Sequence, residues 1–272
     1  MIIFPRNGRL GNQFFQVCGA RVQNAHNRII FVGFDEFASV FQSPQICNLS
    51  PRFLFGQNQS NKMLEAINNA LRRLKIGKTP FFGFLKTSLY AIFSRINVGI
   101  ILDSFYQDGI IQGPEFNELI LDFTIKSFLL KRADQILSDL HHDVSNIGLI
   151  HVRGGDYAIW PSIESPAILP RNFYLKAISY AENIIDQPIR WYVLTDDSSY
   201  ASEVLPEFVQ LDFDMPTTFS LMAVTRNIIL SPSTFSLAAS LINPYSSRPE
   251  QARDKLCIAP KYWGGFNMSQ WY

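Results

Sequence analysis

Apolar and polar positions alternate along this chain in short blocks. Ile2 to Phe4 is a brief β-branched run of strand character, followed by a glycine-bearing turn at Arg6-Asn7-Gly8-Arg9-Leu10-Gly11. From about Asn12 to Asn27 the spacing of Phe15, Cys18, Val22 and Ala25 predicts a helix, and Ile29 to Val32 reads as the next strand. Strand, glycine turn, helix, strand is the opening of a Rossmann-like unit. In that reading Asn12 stands at the helix start, as a cap or as part of an anion-attracting helix end. Residues 35 to 60 are polar and read as irregular. Leu64, Ile67, Leu71 and Leu74 then recur at helical spacing, Ile100 to Leu102 predicts a strand, and Lys126 to His142 predicts a helix.

The second half repeats the alternation more regularly. Predicted strands are Ile147 to Ile150, Trp191 to Leu194, Val209 to Phe213 and Asn227 to Leu230. Predicted helices lie between them, over Arg171 to Ile185 with Phe173, Ala177, Tyr180 and Ile184 on one face, and over Thr218 to Val224. Ala158 to Pro170 is a proline-punctuated loop. Alternating strands and helices argue a mostly parallel sheet in each half, hence an α/β fold. The division is expected near residue 125, giving units of residues 1–125 and 126–272.

Composition narrows this picture. A chain of 272 residues with 47% hydrophobic and 17% charged residues is globular and long enough for two cores. The net charge of +1 gives no global sign of a nucleic-acid partner. Cys18, Cys47 and Cys257 are widely spaced, which fits a reducing compartment without a disulfide framework. Met1 to Arg6 lacks the apolar centre of a signal peptide, and no apolar run spans a bilayer, so a cytoplasmic location is expected. Residues 62–95 are locally basic and apolar, which raises a peripheral membrane contact as one reading and an ordinary helix pair with a solvated basic face as the other.

Chemistry gathers at three predicted strand ends. The first carries His151, Arg153, Gly154, Gly155, Asp156 and Tyr157; the second carries Asp196 and Asp197; the third carries Ser231, Ser233, Thr234 and Ser236. In a parallel sheet, groups at the carboxyl ends of neighbouring strands share one edge. A guanidinium is a fork of donors suited to phosphate, glycines let a ligand approach the backbone, and a hydroxyl-rich turn opening a helix is a phosphate cradle. Together they suggest a diphosphate leaving group held by a cation, amides and hydroxyls. Asp156, so close to Arg153, is expected to orient it more than to act as a base.

Four of these stretches, in order, resemble the α-1,2-fucosyltransferase family (glycosyltransferase family 11). They are Gly8-Arg9-Leu10-Gly11-Asn12-Gln13-Phe14-Phe15-Gln16, His151-Val152-Arg153-Gly154-Gly155-Asp156-Tyr157, Tyr192-Val193-Leu194-Thr195-Asp196-Asp197, and Asn227-Ile228-Ile229-Leu230 running on to Ser236. Asp103 to Gln107 is loosely similar to a further family segment. The resemblance implies a GT-B fold, two Rossmann-like domains facing across a cleft, with acceptor on the first and nucleotide sugar on the second. It implies inverting, metal-free transfer of L-fucose from GDP-β-L-fucose to an oligosaccharide hydroxyl, with galactose O2 as the expected position. The acceptor is free or lipid-linked, in a surface-polysaccharide pathway. Catalytic roles fall on Arg153 and Asp156. Donor contacts fall on Asn12, His151, Arg153, Ser233, Thr234 and Phe235. The chain departs from the family pattern at Gly154, where a second arginine is common, and at Thr218, where an acidic residue is expected. Two alternatives stand beside this reading: a metal-dependent glycosyltransferase using Asp212 and Asp214, and a catalytically silent sugar- or nucleotide-binding relative.

Overall fold

The computed structural model describes residues 2–6, 8–23, 29–42, 47–49, 99–100, 114–244, 255–263 and 266–267. The basic stretch 62–95 and the segment Asp103 to Gln107 lie outside them. The chain forms two compact units, Met1–Leu119 and Ile120–Tyr272.

In the first unit, β1 (Ile2–Pro5), β2 (Ile29–Val32), β3 (Cys47–Leu49) and β4 (Gly99–Ile100) form a parallel sheet in the order β3-β2-β1-β4. Helix α1 spans Leu10–Gln23. It therefore begins before Asn12, which lies inside its first turn. The start is set from a distance, because the Glu36 carboxylate accepts the Leu10 N–H at 2.6 Å and satisfies an amide that a local cap would otherwise take. The stretch expected to be irregular holds a short helix, α2 (Asp35–Val40). Its N-cap, Phe34, makes no side-chain cap, and the Phe37 N–H is instead received by Gln13 Oε1 at 3.0 Å. Tertiary contacts, not local propensity, hold this helix. Phe14, Phe15, Phe31, Phe34, Phe37 and Phe116 are buried here. Their rings meet edge-on, tilted or stacked, as in Phe14 on Phe15 at 5.3 Å, Phe37 on Phe41 at 4.6 Å and Phe15 on Phe116 at 6.5 Å. The phenylalanine-rich composition thus becomes an aromatic core.

Helices α3 (Pro114–Leu121) and α4 (Ser127–Leu140) lead to the second unit's sheet. Its strands are β5 (Ile147–Val152), β6 (Arg190–Thr195), β7 (Val209–Leu211), β8 (Asn227–Ile229) and β9 (Leu256–Ile258), all parallel, in the order β7-β6-β5-β8-β9. Counted from β5, this is the doubly wound order 3-2-1-4-5, whose switch point falls between β5 and β8. Every residue of β5 is buried, as expected of a central parallel strand covered on both faces. On one face Ile150, Val152, Trp191, Val193 and Ile229 pack with Tyr174, Ala177, Ile178 and Ala181 of α5 (Arg171–Ile185). On the other, the Tyr192 hydroxyl donates to the Leu140 carbonyl at the end of α4.

Two sequence expectations shift here. The buried face of α5 is Tyr174, Ala177, Ile178 and Ala181, whereas Tyr180 and Ile184 are exposed. The helix carries two overlapping apolar stripes, and the one with Tyr174, Ile178 and two alanines lies against the sheet. Helix α7 (Met215–Val224) starts before Thr218 because Asp214 is its N-cap, accepting the Thr217 N–H at 2.9 Å. Helices α6 (Ser198–Val204) and α8 (Thr234–Leu241) complete the unit. Among the described residues no helix is long and apolar enough to cross a membrane.

Candidate functional site

The registers of the second sheet bring the three polar strand ends to one edge. Val152 pairs with Thr195 across β5 and β6, and Ile150 pairs with Ile229 across β5 and β8. The expectation that these groups share an edge therefore holds. That edge includes the β5/β8 switch point, where doubly wound sheets leave a crevice for ligands.

Arg153 follows β5 directly. Its Nη2 donates to Asp156 Oδ1, and its Nη1 pairs with Asp196 Oδ2. The guanidinium also lies over the Tyr157 ring, 4.9 Å from its centroid, a favourable cation–π position. Its Nε–H is buried without a partner among the described residues. An orphaned buried donor costs about 1–3 kcal/mol, and a phosphate oxygen or a water would relieve that. The two carboxylates differ. The Asp156 side chain is 68% exposed and that of Asp196 only 28%, so Asp156 is the one solvent or a ligand can displace.

The twin aspartates after β6 build the arginine turn. Asp196 Oδ1 accepts the Gly154 N–H at 3.0 Å, and Asp197 Oδ2 accepts the Gly155 N–H at 3.1 Å. Asp197 also caps α6 through the Tyr200 N–H at 3.0 Å, and these amides hold its carboxyl below the ordinary carboxylate range. Gly155 sits at φ +51°, which disfavours most side chains. At Gly154 the limit is space, since a Cβ there would lie 2.6 Å from the Asp197 Cβ. The glycine at position 154 thus goes with a close approach of Asp197. This wiring was not legible in the sequence, where the two aspartates stood as polar residues ending one of the resembling stretches, with no partner named.

His151 is buried in β5, and its Nδ1 lies 2.6 Å from the Ser231 hydroxyl just beyond β8. Its ring stacks on Phe235 at 5.7 Å, and Phe235 meets Phe219 of α7 edge-on at 5.5 Å. Burial, with Arg153 nearby, pushes the imidazole down to about 3, so His151 is neutral at physiological pH. Ser233 is the N-cap of α8, accepting the Phe235 N–H at 3.3 Å. Ser236 closes the turn by donating to the Ser231 and Ser233 carbonyls. Thr234 opens the helix and is partly exposed. His151, Arg153 and Asp156 thus occupy the carboxyl end of β5. Phe235 comes to His151, and Ser233 and Thr234 share its turn after β8. Ser231 joins the two sides of the switch point, a role that only the fold reveals.

Asn12 belongs to the first unit, in the first turn of α1 and partly exposed. Its neighbour Gln13 is fully buried and ties α1 to α2 and to the Gly8 carbonyl. Asp214 has one carboxylate oxygen on the Thr217 amide and the other 3.5 Å from Arg132, while Asp212 is exposed. Among the described residues there is no group of three or more His, Cys, Asp or Glu that could hold a metal ion. Thr218 donates to the Phe213 carbonyl at 3.3 Å.

No family model matches the chain, and no curated protein matches it in sequence. Solved structures do. The structure of POFUT1 in complex with GDP is 12% identical and aligns with a TM-score of 0.56 over 95% of this chain and 97% of that one. A high-resolution POFUT1 structure with GDP gives 0.51 at 12% identity over the same shares. The NodZ α-1,6-fucosyltransferase soaked with GDP-fucose gives 0.49 at 14% identity over 89% and 92%. At such identities the likeness is one of fold: the chain has the α/β fold of the GT-B fucosyltransferases.

Proposed function

We propose that this protein is an inverting fucosyltransferase that moves L-fucose from GDP-β-L-fucose to a hydroxyl of an oligosaccharide, with the second unit holding the donor and the first the acceptor. The observation that carries this reading is the switch-point constellation. A guanidinium with an unpaired buried N–H follows one strand, and a hydroxyl-rich helix start follows its neighbour, at the edge where a doubly wound sheet takes its ligand. The fold likeness to POFUT1, solved with GDP, supports the choice of nucleotide. The finer assignment, an α-1,2 linkage to galactose O2 of a free or lipid-linked acceptor, comes from the sequence resemblance.

In this mechanism the bond from fucose C1 to the β-phosphate oxygen breaks, and its electron pair leaves with GDP. The acceptor oxygen bonds to C1 from the opposite face, and its proton passes to solvent water as the C1–O bond forms. Arg153 stabilises the charge that grows on the departing phosphate. A phosphate oxygen takes the guanidinium position now held by Asp156, while Asp196 keeps the fork oriented. Asp156 thus acts as a support of the turn and not as a base. Neutral His151 offers a hydrogen-bonding edge without adding charge. Ser233, Thr234 and Phe235 present hydroxyls and amides to the diphosphate, and Asn12 is the further donor contact that the sequence resemblance implies. No metal is part of this scheme.

A second reading keeps the fold without the turnover. Both η nitrogens of Arg153 are held by carboxylates, which suits a silent binding relative. Steady-state transfer or hydrolysis of GDP-fucose separates the two. Arg153→Ala and Arg153→Lys are expected to lower turnover at least ~10²-fold while the melting temperature stays near wild type. Near-normal turnover in either variant refutes the role of Arg153. No turnover in the wild type favours the silent relative.

A further inference from the structure

We propose that the hairpin following the arginine turn is an apolar tip that seats this face of the second unit on the surface of a neutral lipid bilayer. Beyond Tyr157 the chain forms a short antiparallel ladder, Pro161–Ser162 against Ser165–Pro166. Its base is fixed by backbone bonds: Trp160 N–H to the Asp156 carbonyl at 3.1 Å, and Ala167 N–H to the carbonyls of Tyr157 at 3.1 Å and Trp160 at 2.7 Å. This built segment holds apolar side chains out to water. Ile159 is 63% exposed, Trp160 43% and Ile163 75%, and no other large apolar side chain among the described residues is as exposed as Ile163.

Charge and size select the occupant. From Gly155 to Pro170 the only charged residues are Asp156 and Glu164, with no lysine or arginine. Attraction to anionic headgroups is therefore not the mode of contact; insertion of apolar groups is. The three side chains offer on the order of 350 Å² of exposed surface, well below the roughly 800 Å² per partner of a stable protein interface. A narrow hairpin with Ile163 at its turn, Ile159 and Trp160 at its base and the Glu164 carboxylate left among the headgroups instead suits the boundary between headgroups and acyl chains, where the indole prefers to lie.

The tip is tied to the arginine turn. The Trp160 ring packs on Tyr157 at 5.3 Å, and Tyr157 carries the Arg153 guanidinium. Seating the hairpin brings that turn to the lipid surface, where a lipid-borne acceptor presents its sugar. This last consequence rests on the fucosyl-transfer reading; the lipid contact does not.

The test is co-sedimentation of the full chain with phosphatidylcholine vesicles, from about 0.05 to about 0.5 M salt, a range over which electrostatic attraction is screened. The wild type is expected to bind equally at both salts, and the Ile159→Ser/Ile163→Ser double variant to lose at least ~10-fold in partitioning. Because both positions are exposed, its melting temperature should match the wild type. Quenching by lipids with brominated acyl chains should drop in Trp160→Phe. Failure to bind neutral vesicles overturns the proposal. So does binding that needs anionic lipid and vanishes in salt, or equal binding by the double variant. Unchanged vesicle binding with weakened affinity for a soluble oligosaccharide also overturns it and makes the hairpin a sugar platform. These readouts need no turnover, so they stand apart from the transfer reading.

Discussion

Replacing His151 by Gln should flatten the acid side of the stability profile. In the folded chain burial, then Arg153, lowers the imidazole from an ordinary value of 6.5 to about 3. Between those values the unfolded chain binds a proton that the folded chain does not, so stability rises with pH in that window. It is complete above 6.5, falls as pH drops, and levels off below about 3. The gap of 3.5 units (6.5 − 3) corresponds to about 5 kcal/mol in full, of which about 2 kcal/mol is lost by about pH 5. The assay is urea unfolding at about pH 7.5 and about pH 5, on wild type and His151→Gln. The variant starts less stable, because it loses the Ser231 contact and the stack on Phe235. The decisive quantity is therefore the difference in pH slope. The wild type should lose about 2 kcal/mol more than the variant over that interval. Equal slopes would refute the idea that His151 is held neutral at the switch point.

Other perturbations probe the wiring of the turn. Gly154→Ala drives a Cβ against Asp197 and should destabilise by about 1–3 kcal/mol in chemical denaturation, with nucleotide binding lost alongside. Full stability would mean that the approach of Asp197 is not limiting. Asp197→Ala removes the α6 cap and the hold on Gly155 and should cost about 1–2 kcal/mol, while Asp197→Asn recovers part of it. Equal loss in both variants would point to charge, not capping.

Much of the second unit could be read from the chain because its strands are apolar, short and bounded by polar turns. Arg171 to Ile185 was delimited correctly, since Pro170 precedes it and its apolar spacing is sustained. The face it buries was not, because stripes one residue apart are equally apolar in sequence and only the sheet selects between them. Helix α2 was invisible for a related reason: its support is Gln13, distant in sequence. The start of α1 depended in the same way on Glu36. In the site, residue types led to the expectation that Arg153 and the hydroxyl turn handle anions. They could not show that Asp196 and Asp197 grip the amides of the neighbouring turn, or that His151 reaches Ser231 across 80 residues. A D-x-D spacing likewise could not reveal that Asp214 caps a helix.

The central claim is that the switch-point turn binds a guanosine diphosphate group. A thermal-shift panel of GDP, UDP, CDP and ADP tests it most directly, because a ligand selective for the folded state at 100 times its Kd adds about 2.7 kcal/mol of stability. The account expects GDP to raise the melting temperature well above the other three in the wild type, with the shift lost in Arg153→Ala. No shift with any nucleotide, a larger shift with UDP, or a GDP shift that survives Arg153→Ala would contradict it.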